Sequence, residues 1–180
     1  MRRVILLSLA VLLAGCGGDG REAKLPSRPA GAHIQLTDGI AVDVPAGWRL
    51  ATKLTPLAQP FERFTLSSGP LPSGPADNCG PREAVARLGE DDVLAFVIEY
   101  AKLPARRRVG PDFPPRSRWL TLPAGSPASL ECEGRGRILR FRANGRGFQV
   151  TIAVGARATP RRVARLLAAL ERMRVDAREA

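Results

Sequence analysis

From His33 onward the apolar positions recur mostly every second residue, in short runs bounded by Gly and Pro, which predicts strands rather than a helical bundle. The runs are Ile34 to Leu36, Ile40 to Val44, Phe61 to Ser67, Val93 to Tyr100, Trp119 to Leu122, Ser129 to Glu131, Ile138 to Ala143 and Phe148 to Val154. Val93-Leu94-Ala95-Phe96-Val97-Ile98 is apolar on both parities, so it reads as a central strand buried on two sides. Only near the end does the period change. Val163, Leu166, Leu167, Leu170 and Met173 recur at steps of three and four, after Thr159 as N-cap and Pro160 at the first helical position. The other side of this helix carries Arg161, Arg162, Arg165 and Arg172, the composition of a solvated face. A second, shorter helix is expected over Pro81 to Leu88, with Glu83 in its first turn and Gly89 as its stop.

Asn144-Gly145-Arg146-Gly147 joins two alternating runs and predicts a tight hairpin, because Asn and Gly tolerate the positive φ such turns demand. Pro- and Gly-rich loops are expected at Gly69 to Asn78, Leu103 to Arg116 and Pro123 to Pro127, and no internal repeat is present. The expected fold is therefore α+β, an antiparallel sheet covered by a C-terminal helix and a shorter one, in a single domain over residues 34–176 with a disordered tail at 177–180.

Ahead of that domain the pattern is different. Met1-Arg2-Arg3 is a positive n-region, and Val4 to Leu13 is an apolar run of ten residues, too short for a bilayer that needs about 20. The run ends in Leu13-Ala14-Gly15-Cys16, which resembles the lipobox of bacterial lipoproteins. The resemblance implies that residues 1–15 are a signal peptide removed after export, and that Cys16 carries the acyl chains, palmitate among them, of a membrane anchor. At about 0.8 kcal/mol per buried CH₂, two or three chains hold a protein on a membrane essentially permanently. The expected location is extracytoplasmic and membrane-anchored, with the choice of membrane left open. Residues 16–33, rich in Gly, Pro and charge without periodicity, read as a flexible tether.

One further resemblance is carried by Asp38-Gly39-Ile40-Ala41-Val42-Asp43-Val44-Pro45-Ala46-Gly47-Trp48. A short strand running into Pro-x-Gly-Trp near the domain start, then an antiparallel sheet and a C-terminal helix ending near Met173-Arg174-Val175, is similar to exported PsbP-like domains and related bacterial lipoproteins. That similarity implies an α/β sandwich acting as an accessory or assembly subunit. It transfers no catalytic residue to this chain, which also departs from the pattern by its long Pro-rich loops and two extra cysteines.

Charge sharpens the picture. The chain has 28 Lys+Arg against 17 Asp+Glu, a formal +11; losing the two arginines of the leader leaves 26 − 17 = +9 on the exported part. An export signal argues against a nucleic-acid partner despite that excess. On an anionic leaflet each exposed basic residue within a Debye length contributes about 1 kcal/mol, so anionic lipid or cell-wall polymer is a candidate partner. Arg106-Arg107-Arg108, together with Arg140 and Arg142 on one strand face with Arg135 and Arg146 nearby, form the candidate surface. Since 25 of the 28 basic residues are arginine, genome composition is the favoured account of the clusters.

After lipidation Cys79 and Cys132 remain, an even number in an oxidising compartment, which predicts a disulfide. Closing roughly 54 residues would stabilise by about 4 kcal/mol on the loop-closure argument. Enzymatic readings find little material. The one histidine, His33, sits at the mouth of the tether, and no G-x-S-x-G elbow occurs. Glu131 and Glu133 would share a strand face about 7 Å apart, a hydrolase-like spacing that solvated acids beside arginines also produce. Glu90-Asp91-Asp92 lacks the glycine and distal glutamate of an EF-hand loop. Gly134-Arg135-Gly136-Arg137 leads into a strand rather than a helix, so it reads as a hairpin or bulge and not a phosphate cradle. Trp48 and Trp119 read as core anchors in a chain with nine aromatics. Neither metal nor cofactor is expected. The functional expectation is a non-enzymatic accessory or binding lipoprotein contacting an envelope protein partner, with anionic lipid or wall polymer as the alternative.

Overall fold

The computed structural model describes residues 31–52, 54, 60–72, 81–100, 113–118, 120–124, 126–130 and 134–177. Cys16, Cys79, Cys132, Arg106, Arg107, Arg108, Trp119, Glu131 and Glu133 lie outside the described residues. In chain order the elements are β1 (Ala32–Gln35), β2 (Ile40–Val44), β3 (Arg49–Ala51), β4 (Phe61–Ser67), α1 (Arg82–Ala86), β5 (Val93–Tyr100), β6 (Ala128–Leu130), β7 (Gly134–Ala143), β8 (Arg146–Val154), α2 (Pro160–Arg172) and β9 (Arg174–Val175). They form a six-stranded sheet in the order β3-β4-β5-β8-β7-β6 and a three-stranded sheet in the order β1-β2-β9, every named pair antiparallel. The class is α+β.

β5 lies in the middle of the larger sheet, and all but the last of its eight residues are buried. Its two parities feed two cores. Val93, Ala95 and Val97 join Phe64 and Leu66 of β4, Phe148, Val150 and Ile152 of β8, and Leu166, Leu167, Ala169 and Leu170 of α2. The small sheet adds Ile40, Val42, Val44 and Val175 to this cluster. On the opposite face Leu94, Phe96 and Ile98 gather with Ala84 of α1 and Ala153 of β8. Double-sided burial explains why β5 lacks alternation.

α2 starts where its cap dictates: the Thr159 side chain accepts from the Arg162 backbone N–H, and Pro160 occupies the first turn. The Asn144-Gly145 turn between β7 and β8 has φ of 48° and 74°, the pair of positive values a two-residue hairpin needs. A second hairpin joins β1 to β2 through Asp38 and Gly39, again both at positive φ.

Several expectations are corrected. Residues 120–122 are not a strand. Leu120 donates its backbone N–H to Glu171 of α2 instead of entering a ladder, and Pro123 bounds the run. The first strand is Ala32–Gln35 rather than Ile34 to Leu36, and the short helix covers only Arg82–Ala86. Gly134-Arg135-Gly136-Arg137 opens β7 as regular strand and forms the second arm of an antiparallel hairpin with β6, Leu130 opposite Gly134 and Ala128 opposite Gly136, as expected of a hairpin and not of a phosphate cradle. The bulge sits in β4, between Glu62 and Phe64.

Candidate functional site

Two ionic clusters flank the small sheet. The inner one is built on Glu99 near the end of β5, whose side chain is 1% exposed. Arg63 reaches it from β4, Nε to Oε2 at 2.7 Å, and Arg146 from the start of β8, Nη2 to Oε2 at 2.6 Å and Nε to Oε1 at 2.9 Å. The β4 bulge makes this reach available: the extra residue breaks alternation and turns Arg63 onto the face Glu99 occupies. Arg146 also donates to the carbonyls of Asp38 and Asp176, at 2.7 and 3.2 Å, and Arg63 pairs with the Asp38 carboxylate. Both guanidiniums lie over aromatic rings, Arg63 over Phe61 and Arg146 over Phe148. This cluster ties the small sheet to the large one, and its centre, Glu99 with Arg63 and Arg146, is buried while Asp38 reaches solvent.

The outer cluster is accessible. His33 of β1 and Asp43 of β2 are direct cross-strand partners, with His33 Nδ1 2.8 Å from Asp43 Oδ1. Arg174 of β9 approaches the other ring nitrogen, Nη2 to Nε2 at 2.6 Å, and Arg172 at the end of α2 sits 3.4 Å from Asp43 Oδ2. A guanidinium can only donate, so in a neutral ring Nε2 is the acceptor from Arg174 and Nδ1–H the donor to Asp43. The His33 hydrogen bond, with the charges of His33 and Arg172, outweighs the opposing effect of burial and holds the Asp43 carboxyl below its ordinary 3.8.

Beside this cluster an open groove of about 540 Å³ runs between the end of β2 and the outer face of α2. Val44, Pro45, Ala46 and Ala168 give it apolar wall, while Arg165, Arg172, His33 and Asp43 supply its polar rim, and Gly31, where the described chain begins, completes it. The Pro45-Ala46-Gly47-Trp48 stretch is a turn closed by Trp48 N–H to Pro45 carbonyl at 3.0 Å, with Gly47 at φ 78°. It seats Trp48 half-buried against the core with the Arg165 guanidinium over its ring at 5.7 Å.

Of the arginine surface expected from sequence, Arg140 and Arg142 do share one face of β7 and are exposed, with Arg140 donating to Gln149. They lie on the face of the large sheet opposite the cluster that α2 joins. Arg135 is exposed, but Arg146 is 5% exposed and points to Glu99, so it is no part of that surface. Glu90 and Asp91 pair with Arg157, and Asp92 with Arg162 and Ser68, which makes this acidic turn a brace for β5. No group of three or more His, Cys, Asp or Glu able to hold a metal occurs among the described residues.

Asp43, Arg165, Arg172 and Arg174 were not legible as one site. The signal that could have found half of it is Asp38-Gly39 between two apolar runs: once read as a hairpin, it places His33 across from Asp43. No family model, curated protein or solved structure matches the chain.

Proposed function

We propose that the chain is an extracytoplasmic lipoprotein, anchored through acylated Cys16, whose PsbP-like sandwich serves as a non-enzymatic binding unit for an anionic envelope surface. The observation that carries this reading is the groove at the point where the chain enters the domain. Gly31 lines it, Arg165 and Arg172 rim it, and Arg174 stands behind His33. A cationic recess at that end is held within one tether length of the membrane. The histidine supports binding over catalysis, because both its ring nitrogens are engaged by Asp43 and Arg174 instead of facing a nucleophile.

A second reading, contact with an envelope protein partner, is favoured by β1, which is an edge strand of the small sheet among the described residues and is mostly exposed. A disulfide between Cys79 and Cys132 belongs to the same proposal, since export favours it.

Labelled palmitate fed to cells should be incorporated into the wild-type chain and the protein should sediment with membranes. Cys16→Ala should abolish the incorporation and lower the recovery with membranes to what the domain's own surface binding supports. In the same preparation, thiol labelling without reductant should find Cys79 and Cys132 unreactive. A Cys16→Ala protein still recovered in the membrane fraction at wild-type level would remove the anchor from the reading.

A further inference from the structure

Going beyond the binding reading and resting on its lipid anchor, we infer that the outer edge of β1 is a self-pairing seam, at which two anchored copies of the chain join their small sheets into one continuous antiparallel sheet. The ladder register fixes which main-chain groups point outward. Leu36 donates its N–H to the Ile40 carbonyl at 2.7 Å, and Ile34 faces Val42 two residues further along, so in an alternating ladder both direct their groups to β2. His33 and Gln35 fall between them and turn their N–H and C=O groups outward, where nothing among the described residues meets them. The side-chain bond between His33 and Asp43 agrees with this register, because non-hydrogen-bonded pairs bring side chains closest.

The opposite edge of the same sheet is built differently. Asp176 donates to the Gly39 carbonyl at 2.8 Å, which fixes the alternation in β9 and turns the Met173 and Val175 carbonyls away from β2. Both are occupied, Met173 by Arg116 and Val175 by Asn144. β1 has no such cover among the described residues. It also lacks the charges that ordinarily protect an edge, since residues 31–37 contain no Lys, Arg, Asp or Glu in a chain that is 25% charged.

A second copy fits because the pattern is its own complement. With a two-fold axis at Ile34, His33 of one copy opposes Gln35 of the other on both sides of the axis, and every outward group of the two residues is paired. Ile34, half-buried on the core side of the sheet, then meets its own copy at the axis, and no charge opposes a like charge along the seam. Centring the axis on His33 or Gln35 instead leaves the other of the two facing a residue outside β1. A seam this short belongs with weak encounter interfaces, below about 1,200 Å² in total, and does not hold two copies together in dilute solution. Acyl anchors at Cys16, sixteen residues before Ala32, confine both copies within at most about 55 Å of one surface and supply the local concentration the seam needs. The net positive charge of the chain opposes approach, but salt screens it beyond about 8 Å.

The test is oxidative cross-linking of the full chain in membranes, read on non-reducing gels, with the wild type giving the background from its native cysteines. Ile34→Cys should yield at least about 10-fold more dimer than Ala32→Cys or Arg142→Cys, because the axis brings only position 34 within the roughly 4.4–6.8 Å Cα separation a disulfide spans. Adding Gln35→Pro to Ile34→Cys removes an outward donor while leaving the β1–β2 ladder whole, and should lower the yield at least about 5-fold, whereas Gln35→Ala should leave it unchanged. Circular dichroism establishes that each variant is folded, and the comparison of positions 32, 34 and 142 stands without the proline. Equal yields at the three positions, or an undiminished yield from folded Ile34→Cys/Gln35→Pro, would overturn the seam. Cross-linking of Ile34→Cys to a different protein in place of its own copy would assign the edge to an envelope partner and overturn self-pairing. Unacylated Cys16→Ala chain carrying the same substitutions, concentrated to about 1 mM, should reproduce the order of yields, so a failed anchor and a failed seam are told apart.

Discussion

Glu99 and Asp43 make an instructive pair. Each is a carboxylate on a strand, and each meets two basic side chains contributed by other elements, yet Glu99 is 1% exposed and Asp43 is 43% exposed. Around Glu99 the low-dielectric interior makes any unpaired charge costly, so Arg63, Arg146 and the carbonyls of Asp38 and Asp176 must all be satisfied together. Around Asp43 water screens the same chemistry, the net contribution to stability is small, and the charges stay available to something arriving from outside. Burial, rather than residue type, separates a structural bolt from an accessible rim of charge.

The comparison breaks most visibly at Glu99. Glu99→Gln leaves two buried guanidiniums facing one amide, and the expected cost is about 3–5 kcal/mol, read as a fall in thermal midpoint on the order of 10 °C. A wild-type melting curve for this variant would show that the cluster does not tie the two sheets together. The triple variant Arg63→Met/Glu99→Leu/Arg146→Met removes all the charges at once and should lose less than about 2 kcal/mol in urea unfolding. The loss is not zero, because the carbonyls of Asp38 and Asp176 lose the donor that Arg146 provides. If the triple variant proves as unstable as Glu99→Gln, packing and not charge pairing dominates that site.

Asp43→Asn should cost under about 1 kcal/mol at neutral pH, in keeping with a screened pair. Its effect shows in acid instead. The folded-state pKa of Asp43 lies below its unfolded value, through the His33 bond first and then the nearby charges, so its stabilising contribution is complete above the unfolded value and is lost as pH falls through the folded one. Melting curves of wild type and Asp43→Asn should therefore converge as the pH is lowered below 3.8. A gap between them that stays constant across that range would place the contribution of Asp43 elsewhere than in its charge.

Local pattern was enough for the long elements. β2, β4 and β5 have the limits their apolar runs predict, and α2 begins at its Thr159-Pro160 cap, because period, capping and turn chemistry all act within a few residues. β3 and β9, three and two residues long, carry too little periodicity to stand out and exist because β4 and β2 offer them edges. The Trp119 to Leu122 run misled for the converse reason: of its described residues, Leu120 and Leu122 pack on the core that α2 joins and enter no ladder.

The candidate site divides along the same line. The chain alone places a basic leader with a short apolar run, a Leu-Ala-Gly-Cys motif, a lone histidine and an arginine excess in order along a polymer, since these depend on composition and short motifs. Which arginines matter was decided in three dimensions. A one-residue bulge in β4 turned Arg63 inward, a hairpin at Asn144-Gly145 set Arg146 on the buried face while Arg140 and Arg142 stayed outside, and docking of α2 beside β2 brought Arg165 and Arg172 to a histidine more than a hundred residues away in the chain. Charge identity is a property of the residue, whereas its dielectric surroundings and its partners come from segments distant in sequence, and these determine whether a charge holds the fold or meets a ligand.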